Sequence, residues 1–354
     1  MKTRRGIAAA AVAIGLFTAS CSGGQGGGDA PPTSTDTTAS APTATAPTGE
    51  ATSGPDVSSL PRERHDIAYV ENAADRQKLD LFLPAADKPG PYPVLVWIHG
   101  GRWREGDKSV FSSDEQGMDK FKAALLDRGY AVATMNYRLV PDSRFPDPLH
   151  DVSAAIRYVK SHAGELGVDP DRVAVGGESA GGHLATLEGL AASNPNTPAD
   201  FLGNLPVGGP GADSVDAKVD AILGFYGQYD LRTRPEDRAQ VPACGGGGRP
   251  GGPDSTEGQL LNADPTQGEG RELAGRASPV EYVSASAPAT MLLAGTNDCS
   301  APYVQAERLD RMLKDAGVPH ALKIIEAEHG AALFYDQPDT QREVIDFLDA
   351  NVTK

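Results

Sequence analysis

From residue 61 onward, short apolar runs rich in β-formers alternate with helical stretches, and this alternation limits the possible folds more than any other feature. The runs at Leu79–Leu83, Val94–His99, Ala131–Tyr137, Val173–Gly176, Ala221–Tyr226, Thr290–Ala294 and Leu322–Ile325 read as strands. Helical patterns fall at Asp114–Arg128, Leu149–Glu165, Ser179–Ala192, Tyr303–Asp315 and Thr340–Asn351. Such alternation predicts an α/β domain with a doubly wound, mostly parallel sheet and helices on both faces. Two stretches, roughly 194–217 and 232–276, break the rhythm. The second is rich in Gly and Pro, including the run Gly245–Gly248, and both read as surface insertions over one end of the sheet.

Residues 1–60 lie outside that pattern. Lys2, Arg4 and Arg5 precede an apolar run from Ile7 to Phe17. The run is shorter than the roughly 20 residues a membrane span needs, so residues 1–20 read as a secretory signal peptide. Thr18-Ala19-Ser20-Cys21 resembles a bacterial lipoprotein cleavage site, with Thr18 where that motif ordinarily has Leu. The expectation is export, with Cys21 lipidated and the protein anchored to the membrane of the cell envelope; plain secretion is the alternative. Residues 21–60 hold Gly, Ser, Thr, Ala and Pro with no Lys, Arg or aromatic residue. A stretch of that composition buries too little to offset chain entropy and reads as a disordered tether, leaving 61–354 as the folded domain. The formal charge of −16, from 32 basic and 48 acidic residues, excludes nucleic acid as a partner, because phosphate binding needs clustered Lys and Arg.

The chemistry centres on Val173-Ala174-Val175-Gly176-Gly177-Glu178-Ser179-Ala180-Gly181-Gly182. The pattern G-x-S-x-G is common by chance, but here a β run ends at the first glycine and a helix starts after the serine. That context is a nucleophile elbow, a sharp turn presenting Ser179 Oγ at the carboxyl end of the sheet. A serine hydroxyl needs a base, and the base needs an acid to orient it. In chain order the acid and base follow the serine, and only His320 and His329 lie near the C-terminus. His329 follows the last strand, where the base must sit, whereas His320 precedes it and falls at the opposite end. Asp298 follows the preceding strand at the same end; Asp230, Glu326 and Glu328 are weaker candidates. His183 reads as a packing residue. Oxyanion donors are expected from His99-Gly100-Gly101-Arg102-Trp103, the N–H groups of Gly101 and Arg102 acting with that of Ala180. His99 reads as a loop-organising hydrogen-bond partner.

With these residues the chain resembles the esterase/lipase branch of the α/β-hydrolase superfamily, particularly hormone-sensitive-lipase-like and bacterial feruloyl/acetyl-esterase (BD-FAE-type) members. The resemblance is carried by Ile98-His99-Gly100-Gly101-Arg102-Trp103 with Gly106-Asp107-Lys108, and by Asn136-Tyr137-Arg138-Leu139 with Phe145-Pro146. It continues through Gly177–Gly182, Ser278-Pro279, Gly295-Thr296-Asn297-Asp298, Pro302, Gln305 and His329-Gly330, in order over about 65–330. One departure is Arg102, which replaces the third glycine of the family's His-Gly-Gly-Gly-Trp pattern and sets a cation beside the acyl or leaving-group site. The resemblance implies the α/β-hydrolase fold and a serine hydrolase of carboxylic esters, with short acyl groups favoured and no cofactor. Its substrate would be a small-molecule or polysaccharide-linked ester. With Cys21 lipidated, Cys244 and Cys299 remain an even pair, and a disulfide between them would clamp the Gly-rich insertion beside the active site. No sequence pattern for a metal site occurs: there is neither H-E-x-x-H nor C-x-x-C. An amide hydrolase of the same fold would keep the same triad, and a non-catalytic binding lipoprotein is the reading from another class. Matched ester and amide substrates separate the first, fluorophosphonate labelling the second. Oligomeric state is not encoded in any of these features.

Overall fold

A computed structural model describes residues 57–112, 115–209, 211–245 and 251–352. The expected signal peptide, Cys21 and most of the expected tether lie outside the described residues. Eight strands form one sheet: β1 (Glu63–Ala68), β2 (Lys78–Phe82), β3 (Tyr92–Ile98), β4 (Ala131–Met135), β5 (Val168–Glu178), β6 (Ala221–Phe225), β7 (Ala289–Gly295) and β8 (His320–Ile325). Their order is β1-β2-β4-β3-β5-β6-β7-β8. The pairs β1–β2 and β2–β4 are antiparallel and every later pair is parallel. The helices are α1 (Met118–Arg128), α2 (Asp147–Ser161), α3 (Ala163–Leu166), α4 (Ala180–Ser193), α5 (Arg234–Ala239), α6 (Thr256–Leu261), α7 (Gly268–Arg276), α8 (Tyr303–Asp315) and α9 (Pro338–Val352).

Strand β3, Tyr-Pro-Val-Leu-Val-Trp-Ile, is buried at all seven positions because both sheet faces are covered. Its side chains alternate between two cores. Val94, Val96 and Ile98 join Val152 of α2, Leu184 of α4 and Leu309 of α8. Leu95 and Trp97 join Phe121 of α1 and Leu348 of α9 on the other face. A parallel sheet covered on both faces leaves its strand ends as the accessible place for chemistry.

The edge strand β1 has no counterpart among the expected strands. Its sequence, Glu-Arg-His-Asp-Ile-Ala, shows no apolar alternation because most of its side chains stay exposed, and pairing is made by the backbone. The residues Val57–Leu60, assigned above to the tether, pack on the domain: Val57 is buried in the core and Arg62 bonds its carbonyl and that of Leu60. The expected single helix Leu149–Glu165 divides into α2 and α3 at His162. The 232–276 insertion is not a plain loop but carries α5, α6 and α7. It is tied down by a buried Arg234–Glu257 pair at 2.9 Å, by Arg308 on Asp237, and by a Cys244–Cys299 disulfide with Cα atoms 5.6 Å apart.

Candidate active site

Ser179 sits alone between the end of β5 and the start of α4, with φ 51° and ψ −115°. That backbone is strained for a residue with a side chain, at a cost of about 1–3 kcal/mol, and its N–H is fixed to Phe225 O at 2.9 Å. The flanking glycines of the motif are required by space. A Cβ at Gly177 would lie 2.6 Å from the Gly181 backbone and from Ile98 O, and one at Gly181 would lie 2.0 Å from Ile98 O. Strand and helix approach so closely that only hydrogen fits at either position.

The turn aims Ser179 Oγ at His329 Nε2, 2.8 Å away, and His329 Nδ1 lies 2.7 Å from Asp298 Oδ2. Asp298 has no exposed surface, and its Oδ1 accepts the N–H groups of Ser300 and Ala301 at 2.7 and 2.8 Å. The three residues follow β5, β7 and β8, so the carboxyl ends of parallel strands bring together groups up to 150 positions apart. A carboxylate at Nδ1 needs a proton there, which leaves the Nε2 lone pair facing the serine hydroxyl. The other candidates lie elsewhere. His320 opens β8 at the opposite sheet end, Asp230 is engaged by Arg232, and Glu326 and Glu328 are exposed.

Gly100 lies against the nucleophile: a Cβ there would be 3.2 Å from Ser179 Cβ. The next residues, Gly101, Arg102 and Trp103, all have positive φ (104°, 57° and 60°). The loop is closed by Arg104 and Glu105 N–H groups donating to Gly101 O, and by Val140 N–H donating to Trp103 O. Ala180 occupies the first turn of α4, where N–H groups have no intrahelical acceptor. His99 organises this loop. Its Nδ1 lies 2.7 Å from Gly100 O, its Nε2 receives an Arg76 N–H at 3.0 Å, and its ring stacks on Tyr137. Burial pushes its pKa down to about 4, which suits a neutral structural imidazole rather than a base. His183 is also fully buried, with Nε2 on Ala277 O at 2.7 Å and its ring against Trp103. Asn136 joins the remaining motif residues to the loop, accepting Lys108 N–H at 2.7 Å and donating to Asp107 at 2.7 Å.

Glu178, Tyr226 and Tyr335 escaped the sequence reading. Glu178 Oε1 accepts Gly100 N–H at 3.1 Å, and Oε2 accepts the Tyr226 hydroxyl at 2.7 Å. Tyr226 meets Tyr335 hydroxyl to hydroxyl at 2.5 Å and sets its ring edge-on to His329. One carboxylate therefore links the Gly100–Trp103 loop to the ring beside His329. Its place inside the Gly177-Glu178-Ser179 motif was the available signal.

A mostly parallel eight-stranded sheet with a Ser-His-Asp array at its carboxyl ends defines an α/β-hydrolase. Within that class the chain belongs to the BD-FAE family, whose model matches residues 79–313. It is 30% identical over 298 residues to esterase LipC of Mycobacterium tuberculosis, covering 79% of this chain and 66% of that protein. To the probable carboxylic ester hydrolase LipM of the same organism it is 33% identical over 245 residues, covering 68% and 49%. The chain thus spans about half to two thirds of the length of these relatives. A solved structure described as a truncated form of carbohydrate esterase from gut microbiota superposes with a TM-score of 0.69 at 25% identity, over 85% of this chain and 100% of that one.

Proposed function

We propose that the protein hydrolyses carboxylic esters through an acyl-enzyme on Ser179. The continuous contact from Ser179 Oγ through His329 to buried Asp298, at 2.8 and 2.7 Å, carries this reading. Ser179 Oγ attacks the ester carbonyl while its proton passes to His329 Nε2. The oxyanion is met by the N–H groups of Gly101, Arg102 and Ala180. Collapse breaks the bond to the alkoxy group, which leaves as the alcohol with the proton from His329. Water then gives a proton to His329 and attacks the acyl-serine, releasing the acid and restoring the Ser179 hydroxyl as His329 returns the proton. The esterase names of the relatives and neighbour support an ester substrate, small or carbohydrate-linked.

Replacing Ser179 by Ala should abolish p-nitrophenyl acetate hydrolysis and fluorophosphonate labelling while leaving the far-UV spectrum unchanged; wild-type turnover in that variant would overturn the reading. Esters from acetyl to dodecanoyl test the preference for short chains. The N-terminal sequence adds export and anchoring by lipid on Cys21. Incorporation of a palmitate analogue should be lost in Cys21→Ala, and labelling that persists there would refute the anchor.

A further inference from the structure

A cavity of about 540 Å³ is lined by Arg102, Arg104, Arg234, Asp254, Ser255 and Gln259 among others. A second hollow of about 370 Å³ shares Arg104, Asp254 and Gln259 with it and adds Arg144. Arg102 and Arg104 follow the carboxyl end of β3, and Arg144 follows that of β4. Arg102 is two residues beyond Gly100, which abuts Ser179. On the other wall Arg234 Nε donates to Ser300 O at 2.8 Å, and Ser300 N–H in turn donates to Asp298.

The charges lining this space do not balance. Arg234 is buried and matched by Glu257 at 2.9 Å. Among the described residues the guanidinium groups of Arg102 and Arg104 have no ion pair or hydrogen bond, and Arg144 Nε is buried with no hydrogen-bond partner. Among the described residues Asp254 is the one carboxylate lining either hollow. Three unmatched cations thus surround one anion on a chain of formal charge −16. Unmatched like charges on one rim disfavour the empty site and an entering anion offsets that cost, both effects being screened by water because Arg102 and Arg104 are exposed. Arg102 adds a second signal. It holds a left-handed backbone, φ 57°, that favours glycine, so a side chain is kept there against a local conformational cost. The polar lining of Ser255 and Gln259 suits an oxyanion better than an acyl chain.

We propose that these two adjoining hollows bind an anionic group of the substrate through Arg102, Arg104 and Arg144, so that the enzyme prefers esters bearing a negative charge. The inference rests on the esterase reading above for its substrate and names the class of that substrate. Guanidinium groups pair oxyanions in forked geometry, and the partly exposed site makes the preference sensitive to ionic strength.

The test compares kcat/KM for esters that differ in one charge. The acyl side is probed by p-nitrophenyl hydrogen adipate against p-nitrophenyl hexanoate, and the alcohol side by 4-acetoxybenzoate against 4-acetoxybenzamide. At least one anionic-to-neutral ratio should exceed one at low salt. It should fall about tenfold in the Arg104→Gln/Arg144→Gln double variant, and fall in wild type as salt is raised. Calorimetric titration of adipate and of 4-hydroxybenzoate into the wild-type chain gives a readout independent of turnover, with at least one binding and weakened about tenfold by the double variant. Neutral esters hydrolysed with flat ratios and no arginine-dependent binding would overturn this inference and leave the esterase standing. Arginine-dependent binding without turnover of any ester would overturn the esterase reading and support the anion site.

Discussion

Replacing Asp298 by Asn tests the proposed relay, because the structure dictates how the amide must sit. Asp298 Oδ1 accepts two backbone N–H groups, from Ser300 and Ala301, and Oδ2 faces His329 Nδ1. The amide oxygen must take the place of Oδ1, since an NH2 there would set donors against two donors in a site with no exposed surface. The NH2 then points at His329 Nδ1, which can accept only after giving up its proton. The imidazole proton moves to Nε2, the atom that must be bare to receive the Ser179 proton. A tautomer error of this kind lowers kcat by about 10⁴, or about 5 kcal/mol at about 1.4 kcal/mol per tenfold. Stability should change little, because the isosteric side chain keeps each hydrogen bond. Asp298→Ala should behave differently: it strands two buried N–H groups at about 1–3 kcal/mol each, so Tm falls together with kcat. Turnover of p-nitrophenyl acetate and thermal melts on both variants separate these effects. An Asn variant retaining more than about a tenth of wild-type kcat, or melting as low as the Ala variant, would refute the argument.

Two further outcomes follow from the same architecture. The Cys244–Cys299 bridge spans a sequence separation of 55 and, by chain entropy, stabilises by up to about 4 kcal/mol; Cys244→Ser should lower Tm and, because Cys299 follows Asp298, also kcat, and an unchanged melt would contradict this. Burial holds both His99 and His183 near pKa 4, below the ordinary 6.5, so the unfolded chain binds more protons between those values. Their contribution is fully present above about pH 6.5 and lost as pH falls to about 4. At about 1.4 kcal/mol per pH unit this is about 3 kcal/mol for each histidine. Tm measured across that range should fall steeply, and His183→Gln should flatten the slope; equal slopes would rule out His183 as a contributor.

The elements and the Ser-His-Asp array differ in how openly the sequence carries them. Strand β3 was readable because a strand buried on both faces must be apolar throughout, and helices such as α8 because one face alone is buried. Ser179, Asp298 and His329 could be ordered by arguing which strand end each follows, since parallel strands put their carboxyl ends on one side. Strand β1 stayed hidden because an edge strand is held by backbone pairing and needs no apolar pattern. The short helices of the insertion stayed hidden because long-range ties such as Arg234–Glu257 and Cys244–Cys299, not local periodicity, hold them.

The sequence by itself therefore determined the sheet class and the identities of the residues at its reactive end, because burial pattern and chain order are local properties. Tertiary structure alone decided which groups surround Ser179 and His329 beyond Asp298. Glu178 reaches Gly100 and Tyr226, while Arg102 and Arg104 line one hollow and Arg104 and Arg144 the hollow that adjoins it, although no spacing in the chain marks either arrangement. Hydrogen bonds and charge balance depend on distances of a few ångströms between residues far apart in sequence, and those distances exist only once the chain has folded.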